Sequence, residues 1–492
     1  MLKKTTLFPF ALSLCLAGLS ASFPQAALAA AMPTNAPAQT GKQRLIVLTD
    51  VGADPDDTES LVRLMLYSNE IDIEGLIATT SVWMKGTVNP QSVREVIGAY
   101  GQVRGNLLLH DKDYPPTNDL LSLVRQGLPV YGMAGVGEGK DSPGSDRIIQ
   151  VLQEKDARPV WVTAWGGTNT LAQALYKIKH TMSEAEAARL IAKLRVHTIS
   201  DQDDTGTWIR TNFPSLFYIV SPGDYGASTW IAINSVIPGI DNTTISNKWL
   251  ADNIQQGHGP LGAIYPDVGY GMEGDTPSFL SLIPNGLNEP EHPDRGGWGG
   301  RYELYKPQPY ADAAGNMPGG VPYVPETRPI WTNASDDYAP PEKGEYNRAI
   351  HFGTKTFSGN KVSLWRWRDD FQNDFAARMT WTTKPFNEAN HPPVVRLDVP
   401  EVLTVKSGQG FALSAKGTSD PDGDSLTYLW FQYPEAGTLK TVMKMSAEDI
   451  QSVWVEGANV TRPETTEFIV RVTDKGTPPL TRYKRVTVKI QP

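Results

Sequence analysis

Apolar residues follow two different rhythms along this chain. From Arg44 to about residue 220, short runs of branched apolar residues alternate with segments whose apolar residues recur at helical spacing. Such alternation predicts right-handed crossovers and a mostly parallel sheet covered on both faces. The predicted strands are Arg44–Thr49, Asp72–Thr79, Arg158–Ala164, Leu194–Ser200 and Leu216–Val220, and the predicted helices are Thr58–Ser68, Asn89–Gly101, Asp146–Gln153, Thr170–Lys179 and Ser183–Lys193.

The rhythm changes to a period of two after Pro393. Segments such as SLTYLWFQY, TEFIVRVTD and RYKRVTVKI alternate apolar and polar residues, with turn residues between them. About 100 residues of this kind predict a small all-β sandwich of immunoglobulin-like type. The segment between the two patterns contains long loops rich in Gly, Pro and aromatic residues, from His258 to Tyr305, and a closing helix, Val362–Thr380. The expected α/β domain therefore covers residues 43–386, a linker covers 387–393, and the sandwich covers 394–492.

The N-terminus has the features of a signal peptide. Lys3 and Lys4 precede an apolar run, and Ala27-Leu28-Ala29 fits a signal peptidase site. We therefore expect residues 1–29 to be removed, residues 30–42 to be a polar linker, and the mature protein to be periplasmic or secreted. The only cysteine, Cys15, lies inside this leader, so the mature chain would have no disulfide, thiolate nucleophile or cysteine-bound metal.

Charge narrows the range of partners. Loss of Lys3 and Lys4 changes the formal net charge from −9 to −11. An acidic protein of this kind disfavours nucleic-acid backbones and anionic lipid surfaces. No later apolar run approaches the length needed to span a membrane. We therefore expect neither a nucleic-acid partner nor a membrane anchor.

Four carboxylates lie between the first predicted strand and the first predicted helix: Asp50, Asp54, Asp56 and Asp57. One interpretation is helix capping, with Asp54 as N-cap and Pro55 at the first helical position. Capping accounts for one or two acids, and the partial charge of a helix end is too small to offset the repulsion among four. The second interpretation is a site for a hard cation such as Ca²⁺, which binds carboxylate oxygens from several directions.

Other polar and aromatic clusters follow later predicted strands. Ligands of parallel α/β sheets bind beyond the carboxyl ends of the strands, so these loops are expected to converge on one rim. Indole rings on such a rim would offer flat surfaces to pyranose rings. For the polar members, a structural network of hydrogen bonds is as good an explanation as substrate contact. The candidates for substrate binding at this rim are Trp83, Trp165, Asn169, Asp201, Gln202, Asp204, Trp208, Arg210 and Trp298.

The run TDVGADPDD resembles the N-terminal aspartate signature of nucleoside hydrolases. Together with SLVRLMLYSNEIDIEGLIATTS, LRVHTISDQDDTGTWIR, EGDTPSFLSLIPNGL and GGWGGRYE, it is similar to a secreted bacterial family described as cellulose-binding. That family has a nucleoside hydrolase-like domain and a C-terminal sandwich. The resemblance implies an open, mostly parallel α/β sheet followed by a small immunoglobulin-like domain, and a carbohydrate such as plant cell-wall polysaccharide or oligosaccharide as the partner.

The resemblance also implies roles for individual residues. Asp50, Asp57, Asp275 and the carbonyl-donating position at Thr168 or Asn169 would bind Ca²⁺, Asp56 would contact substrate hydroxyls, and Asp54 and Asp57 would be catalytic. Two positions depart from the nucleoside hydrolase pattern, because Gly52 replaces the central aspartate and Gly274 replaces a histidine that often serves the departing base. We therefore expect either a Ca²⁺-dependent hydrolase of glycosyl bonds, acting on a saccharide or glycoside rather than a nucleoside, or a non-catalytic polysaccharide-binding protein on the same fold.

Overall fold

A computed structural model describes residues 41–222, 225–226, 228–307, 318–322, 324–343 and 350–492. The expected signal peptide and the expected linker up to residue 40 lie outside the described residues. Within them, no helix combines the length and the apolar character needed to cross a membrane.

An eight-stranded sheet forms the centre of the α/β domain. Its strand order is β3-β2-β1-β4-β5-β6-β8-β7, and all neighbouring strands are parallel except the β8–β7 pair. This arrangement confirms the predicted fold class, with an antiparallel edge that the pattern did not indicate. The strands are β1 Gln43–Thr49, β2 Ile71–Ala78, β3 Val124–Gln126, β4 Val160–Ala164, β5 Leu194–Thr198, β6 Phe217–Val220, β7 Tyr302–Tyr305 and β8 Ile330–Asn333.

The first strand shows why the sheet is covered on both faces. Leu45 and Val47 belong to one buried core, whereas Ile46 and Leu48 belong to a second core on the opposite face. A strand whose two faces are both apolar needs helices on both sides of the sheet. The chain leaves β1 toward β2 on one side and later returns to β4 on the other, so the strand order reverses beside β1. Ligands of doubly wound sheets bind at this reversal point.

Helices cover both faces of the sheet, and four short strands follow β8. Each of the five predicted helices in the first half of the domain is present with shifted ends, and the predicted closing helix is divided into α11 and α12. The helices are α1 Asp56–Leu66, α2 Pro90–Leu107, α3 Thr117–Leu123, α4 Pro143–Gln153, α5 Asn169–Thr181, α6 Glu184–Lys193, α7 Thr205–Asn212, α8 Asn247–Leu250, α9 Gly259–Ala263, α10 Pro277–Leu280, α11 Val362–Trp365 and α12 Arg368–Thr380, and the strands are β9 Asp336–Tyr338, β10 Pro341–Lys343, β11 Ile350–Phe352 and β12 Phe357–Gly359.

The C-terminal residues form the predicted β-sandwich. A four-stranded sheet in the order β13-β18-β17-β15 packs against the β14–β16 pair. The alternating residues of both sheets enclose a separate core that includes Leu413, Trp430, Val470 and Val488. The strands are β13 Val402–Lys406, β14 Phe411–Ser414, β15 Thr427–Tyr433, β16 Ser452–Val455, β17 Glu464–Thr473 and β18 Thr481–Gln491.

The sandwich also contributes to the core of the α/β domain. Phe431, Tyr433, Ile469 and Tyr483 pack into the same apolar cluster as α1, α2 and α12. The side chain of Asp370 on α12 accepts hydrogen bonds from Arg471 and Tyr483 of the sandwich. These hydrogen bonds join the α/β domain to the sandwich, because the carboxylate lies in one domain and both of its donors lie in the other.

We predict that Asp370→Ala destabilises the whole protein. The substitution leaves the partly exposed Arg471 guanidinium and the buried Tyr483 hydroxyl without their carboxylate. Removing one partner of such hydrogen bonds typically costs about 1–3 kcal/mol of unfolding free energy. The adjacent Asp369 is exposed, so Asp369→Ala is the matched control and should change this free energy by less than about 1 kcal/mol. Chemical denaturation of the two variants measures the difference, and equal effects would contradict the stabilising role of these hydrogen bonds.

Candidate functional site

The turn after β1 places a group of acids at the start of α1. Gly52 adopts a φ of 104°, which allows the chain to reverse, and α1 begins at Asp56 with Pro55 in the N-cap position. No side chain caps this helix end. The interpretation of Asp54 as a helix cap is therefore wrong, and the acids of this turn need another explanation.

Four carboxylates gather at the reversal point of the sheet. Asp50, Asp56 and Asp57 are 3%, 4% and 2% exposed, and Asp275, from the loop before α10, is 2% exposed. The partly exposed Asp54 joins them, because oxygen atoms of Asp54, Asp56 and Asp57 lie within 4.8 Å of one another. The structure therefore brings together the acids that the sequence placed in two distant segments.

Burial and mutual repulsion perturb these acids in the same direction. Burial raises the pKa of Asp50 to about 6, with a further contribution from the charge of Asp54. Burial also raises the pKa values of Asp56, Asp57 and Asp275 well above their usual range, and neighbouring carboxylates raise them further. In the described part of the chain, no Lys, Arg or His side chain forms an ion pair with any of the four. The protein itself thus leaves this charge uncompensated.

Neutral donors hold two of the acids in place. The hydroxyl of Thr49, the last residue of β1, donates to Asp57. The indole N–H of Trp230 donates to Oδ2 of Asp56 over 2.8 Å, and the backbone N–H of Asp57 donates to Oδ1 of Asp56 over 3.0 Å. Sequence reasoning missed Trp230, which comes from a 3₁₀ turn, Thr229–Ile231, far from α1 in sequence.

Two glycines make room for Trp230. A Cβ at Gly271 would lie 3.0 Å from the indole ring, and a Cβ at Gly274 would collide with its Nε1 atom. Gly274 is the position at which the nucleoside hydrolase pattern often has histidine. Its lack of a side chain is therefore matched by an indole in the same space, and nothing in the sequence identifies that indole as Trp230.

Buried contacts with α1 hold the loop that carries Asp275. Glu273 has a φ of 52°, which is strained for a residue other than glycine. Its backbone N–H donates to Glu59 over 2.7 Å, and its carboxylate forms an ion pair with Arg63 of α1 at 2.5 Å. All three side chains are fully buried. These contacts fix the turn that directs Asp275 toward the other acids.

The acid cluster fits a hard divalent cation. Its donor atoms are carboxylate oxygens, which Ca²⁺ prefers and binds in sets of about six to eight oxygens. Oδ2 of Asp275 is buried and has no hydrogen-bond partner among the described residues. A buried anionic oxygen without a partner is costly, and a cation at the centre of the cluster would supply one.

Thr168 and Asn169 lie at the same rim but are engaged elsewhere. The carbonyl oxygen of Thr168 accepts the hydrogen bond of the Ala172 N–H at 2.8 Å and keeps a second lone pair, so its role as a metal ligand stays a prediction. The Asn169 side chain accepts from Thr79 over 2.7 Å and donates to the Val130 carbonyl over 2.8 Å. These bonds tie the ends of β2 and β4 together, and substrate contact by Asn169 stays a prediction.

The polar residues after β5 form a structural network. Asp201 pairs with both terminal nitrogens of Arg210 at 2.8 and 2.7 Å, and Gln202 donates to the Trp165 carbonyl. Asp204 accepts the backbone N–H of Met133 over 2.8 Å. The Asp201, Arg210 and Asp204 side chains all have protein partners, as the structural alternative requires, and substrate contact by these residues stays a prediction.

Sequence reasoning missed the centre of this network, Asp203. Its buried carboxylate accepts hydrogen bonds from Thr205 and from the backbone N–H of Asn169 at 3.1 Å. Burial raises its pKa to about 6. Asp203 thus joins the loops after β4 and β5, which are the loops that flank the acid cluster.

The four tryptophans expected at the rim have different environments. Trp83 is 56% exposed and offers an open indole face. Trp165 and Trp298 are buried, with indole N–H groups donating to Ser278 over 3.0 Å and to Tyr483 over 3.3 Å. Trp208 packs against the core on the opposite face of the sheet. The expectation of exposed platforms is therefore wrong for Trp165 and Trp298, which a neighbouring helix and the sandwich cover, and Trp208 lies away from the acids.

The doubly wound sheet and the carboxylates at its reversal point define a nucleoside hydrolase-like α/β protein. Residues 44–302 match the family described as cellulose-binding Sde182, nucleoside hydrolase-like domain, and residues 410–490 match the C-terminal domain of cellulose-binding protein Sde0182. The chain belongs to this cellulose-binding Sde182 family.

A solved structure agrees with the family assignment. It is a nucleoside hydrolase-related hypothetical protein from Saccharophagus degradans that is described as associated with carbohydrate metabolism. It is 37% identical, with a TM-score of 0.77, and the match covers 92% of this chain and 100% of that one.

Weaker matches include two effector proteins. XOO4466 is 11% identical with a TM-score of 0.28 over 60% of this chain and 88% of its own. XopQ, solved with adenosine diphosphate ribose, is 12% identical with a TM-score of 0.25 over 50% of this chain and 82% of its own. Neither similarity is strong enough to carry an argument. No curated protein matches the chain.

We predict that the cation-free protein loses stability as the pH rises. Carboxyl groups with raised pKa values in the folded state favour folding while they are protonated. For Asp50, this contribution is present below its ordinary pKa of 3.8 and is lost as the pH passes through about 6. Denaturation in EDTA between pH 4 and pH 7 measures the slope. Asp275→Asn should flatten it, whereas Asp146→Asn, on the exposed end of α4, should not, and equal slopes in all three proteins would contradict the charge cluster.

Proposed function

We propose that this chain is an exported carbohydrate-active protein whose α/β domain hydrolyses glycosyl bonds with the help of Ca²⁺. The observation that carries the proposal is the group of four buried carboxylates without a basic partner in the described part of the chain. The substrate is a saccharide or glycoside in preference to a nucleoside, because Gly274 offers no proton donor to a departing base.

Asp50, Asp57 and Asp275 would hold the cation, and Asp56 would share in this contact or bind substrate hydroxyls. A bound Ca²⁺ supplies attachment for sugar hydroxyls and makes nearby water more acidic. Thr49 holds the Asp57 carboxylate by a hydrogen bond, and Trp230 holds that of Asp56. These neutral donors orient the two acids without cancelling their charge, so both remain available to a cation or to the developing positive charge of an anomeric carbon.

Asp54 is the best placed general base. It is partly exposed, whereas the other four acids are buried, and its carboxylate still lies beside Asp56 and Asp57. It therefore reaches a water molecule at the mouth of the cluster and can accept its proton. In this way Asp54 takes over the role of the central aspartate of the nucleoside hydrolase pattern, whose position is occupied here by Gly52.

We predict that two isosteric substitutions separate cation binding from proton transfer. Asp57→Asn should abolish Ca²⁺ binding measured by calorimetry, together with turnover. Asp54→Asn should weaken Ca²⁺ binding less than Asp57→Asn does, and at saturating Ca²⁺ it should lower kcat by about 10²–10⁴-fold, the usual contribution of a general base. The assay uses nucleosides, aryl glycosides and cello-oligosaccharides with Ca²⁺.

The control for this assay is Asp146→Asn, whose side chain lies away from the cluster. Two outcomes would overturn the proposed hydrolase activity. The first is native turnover in Asp57→Asn, and the second is a native protein that binds Ca²⁺ but turns over none of the substrates.

A polysaccharide-binding protein is the second candidate. The exposed indole of Trp83 and the cellulose-binding description of the family favour it. Aromatic faces attract the apolar faces of sugar rings, and this attraction needs no catalysis.

We predict that this second function leaves a distinct signature. The protein should be retained on insoluble cellulose in EDTA as well as in Ca²⁺, and Asp57→Asn should be retained equally well. A pull-down measures the bound fraction. Retention that requires both Ca²⁺ and Asp57 would place binding at the acid cluster and contradict a separate adhesive role.

A further inference from the structure

Three aromatic rings form a row that ends at the acid cluster. The ring centroids of Trp83 and Tyr225 are 6.4 Å apart, and those of Tyr225 and Trp230 are 5.5 Å apart. Trp83 is mostly exposed, whereas Tyr225 and Trp230 are partly buried. The row thus leads from solvent to Trp230, whose indole N–H donates to Asp56.

The inner end of the row is fixed. Trp230 occupies a slot that only glycine permits at position 274, and its N–H bond to Asp56 sets the position of the ring relative to the carboxylates. Tyr225 meets Trp230 edge to face at an angle of 70°, and Trp83 is tilted by 50° against Tyr225. Such tilted and edge-to-face pairs are the favourable arrangements of aromatic rings.

The charge around the row restricts its ligand. The carboxylates at the inner end repel anions, which disfavours phosphorylated sugars, nucleotides and acidic sugars. Lys85 is the lysine nearest to Trp83 in sequence, and its ammonium group lies 5.0 Å from the centroid of the Tyr131 ring, so it contacts an aromatic ring outside the row. A neutral ligand with hydroxyl groups and an apolar face suits both the carboxylates and the rings, and a pyranose has both features.

We propose that Trp83, Tyr225 and Trp230 form a subsite for a neutral saccharide of at least two sugar units. This inference rests on the proposed saccharide specificity of the acid cluster. One unit lies at the carboxylates and the next reaches Trp83. Each indole contacts Tyr225, and in the described part of the chain no ring contact joins Trp83 to Trp230, so we expect a monosaccharide at the carboxylates to fall short of the outer indole. Affinity should therefore depend on the length of the ligand.

The test is calorimetry of the full chain in Ca²⁺ with glucose, cellobiose and cellotriose, with the xylose and mannose series of the same lengths, and with adenosine. We expect the disaccharide of at least one series to bind about tenfold more tightly than its monosaccharide, the scale of one good stacking contact. Trp83→Ala should remove this difference and leave monosaccharide binding intact. Trp454→Ala, which removes a 51% exposed indole from the sandwich, is the matched control and should change nothing.

Trp230→Phe gives an independent readout. It keeps a ring in the slot but removes the donor that orients Asp56, so the affinity for Ca²⁺, or for a monosaccharide if Asp56 binds hydroxyls, should fall by about 10–100-fold. The length dependence should remain, since the ring remains. Unchanged affinity for both Ca²⁺ and the monosaccharide would overturn the role of Trp230 as the residue that positions Asp56.

Four further outcomes would contradict the subsite. Binding without length dependence in every series, tighter binding of adenosine than of any saccharide, no binding at all, or an equal loss in Trp83→Ala and Trp454→Ala would each overturn the subsite. These measurements need no turnover. Length-dependent binding without hydrolysis therefore supports the subsite and contradicts only the proposed hydrolase activity. Hydrolysis without length dependence supports the hydrolase activity and contradicts the subsite.

Discussion

The structure depends on one unfavourable interaction, the mutual repulsion of buried carboxylates at the end of β1. Asp50, Asp56, Asp57 and Asp275 all have raised pKa values because burial and neighbouring charge disfavour their ionised forms. A fold keeps such a group together only if other contacts hold the backbone on which the acids stand. The rest of the domain contains contacts of this kind, and they are concentrated around α1 and the loop before α10.

These contacts continue through α12 into the sandwich. Arg63 of α1 pairs with Glu273 next to the acid loop and donates to the Phe371 carbonyl of α12 over 3.0 Å. Asp374 of α12 accepts from Tyr67, the residue that follows α1, and from Arg482 of the sandwich, both at 2.6 Å. One helix therefore contacts both the acid-bearing helix and the C-terminal sheet. The sandwich is part of the support of the acid cluster, which the change of hydrophobic period at residue 393 did not indicate.

Features that depend on neighbouring residues could be predicted from the sequence, and features that depend on distant segments could not. The strands, the helices and the acids after β1 were predictable because hydrophobic period and residue type act over a few neighbours. Trp165 and Trp298 were misplaced because burial by α10 and by Tyr483 depends on distant segments. Trp230 and Asp203 were missed for the same reason, since only the folded chain brings Trp230 to Asp56 and Asp203 to Asn169. The bonds of Thr168 and Asp201 were likewise set by partners that the pattern does not name.

The two departures from the nucleoside hydrolase pattern acquire a physical meaning in the structure. Gly52 permits the turn with positive φ that brings Asp54 beside Asp56 and Asp57, and Gly274 permits the indole of Trp230 to reach Asp56. Each lost side chain is thus accompanied by a new contact to the same cluster. A protein that only adheres to a polysaccharide has no need to bury acids that repel one another and then to orient them with neutral donors. A site that must bind a cation and stabilise positive charge in a sugar ring does, and this difference is the physical reason for proposing a reshaped hydrolase site.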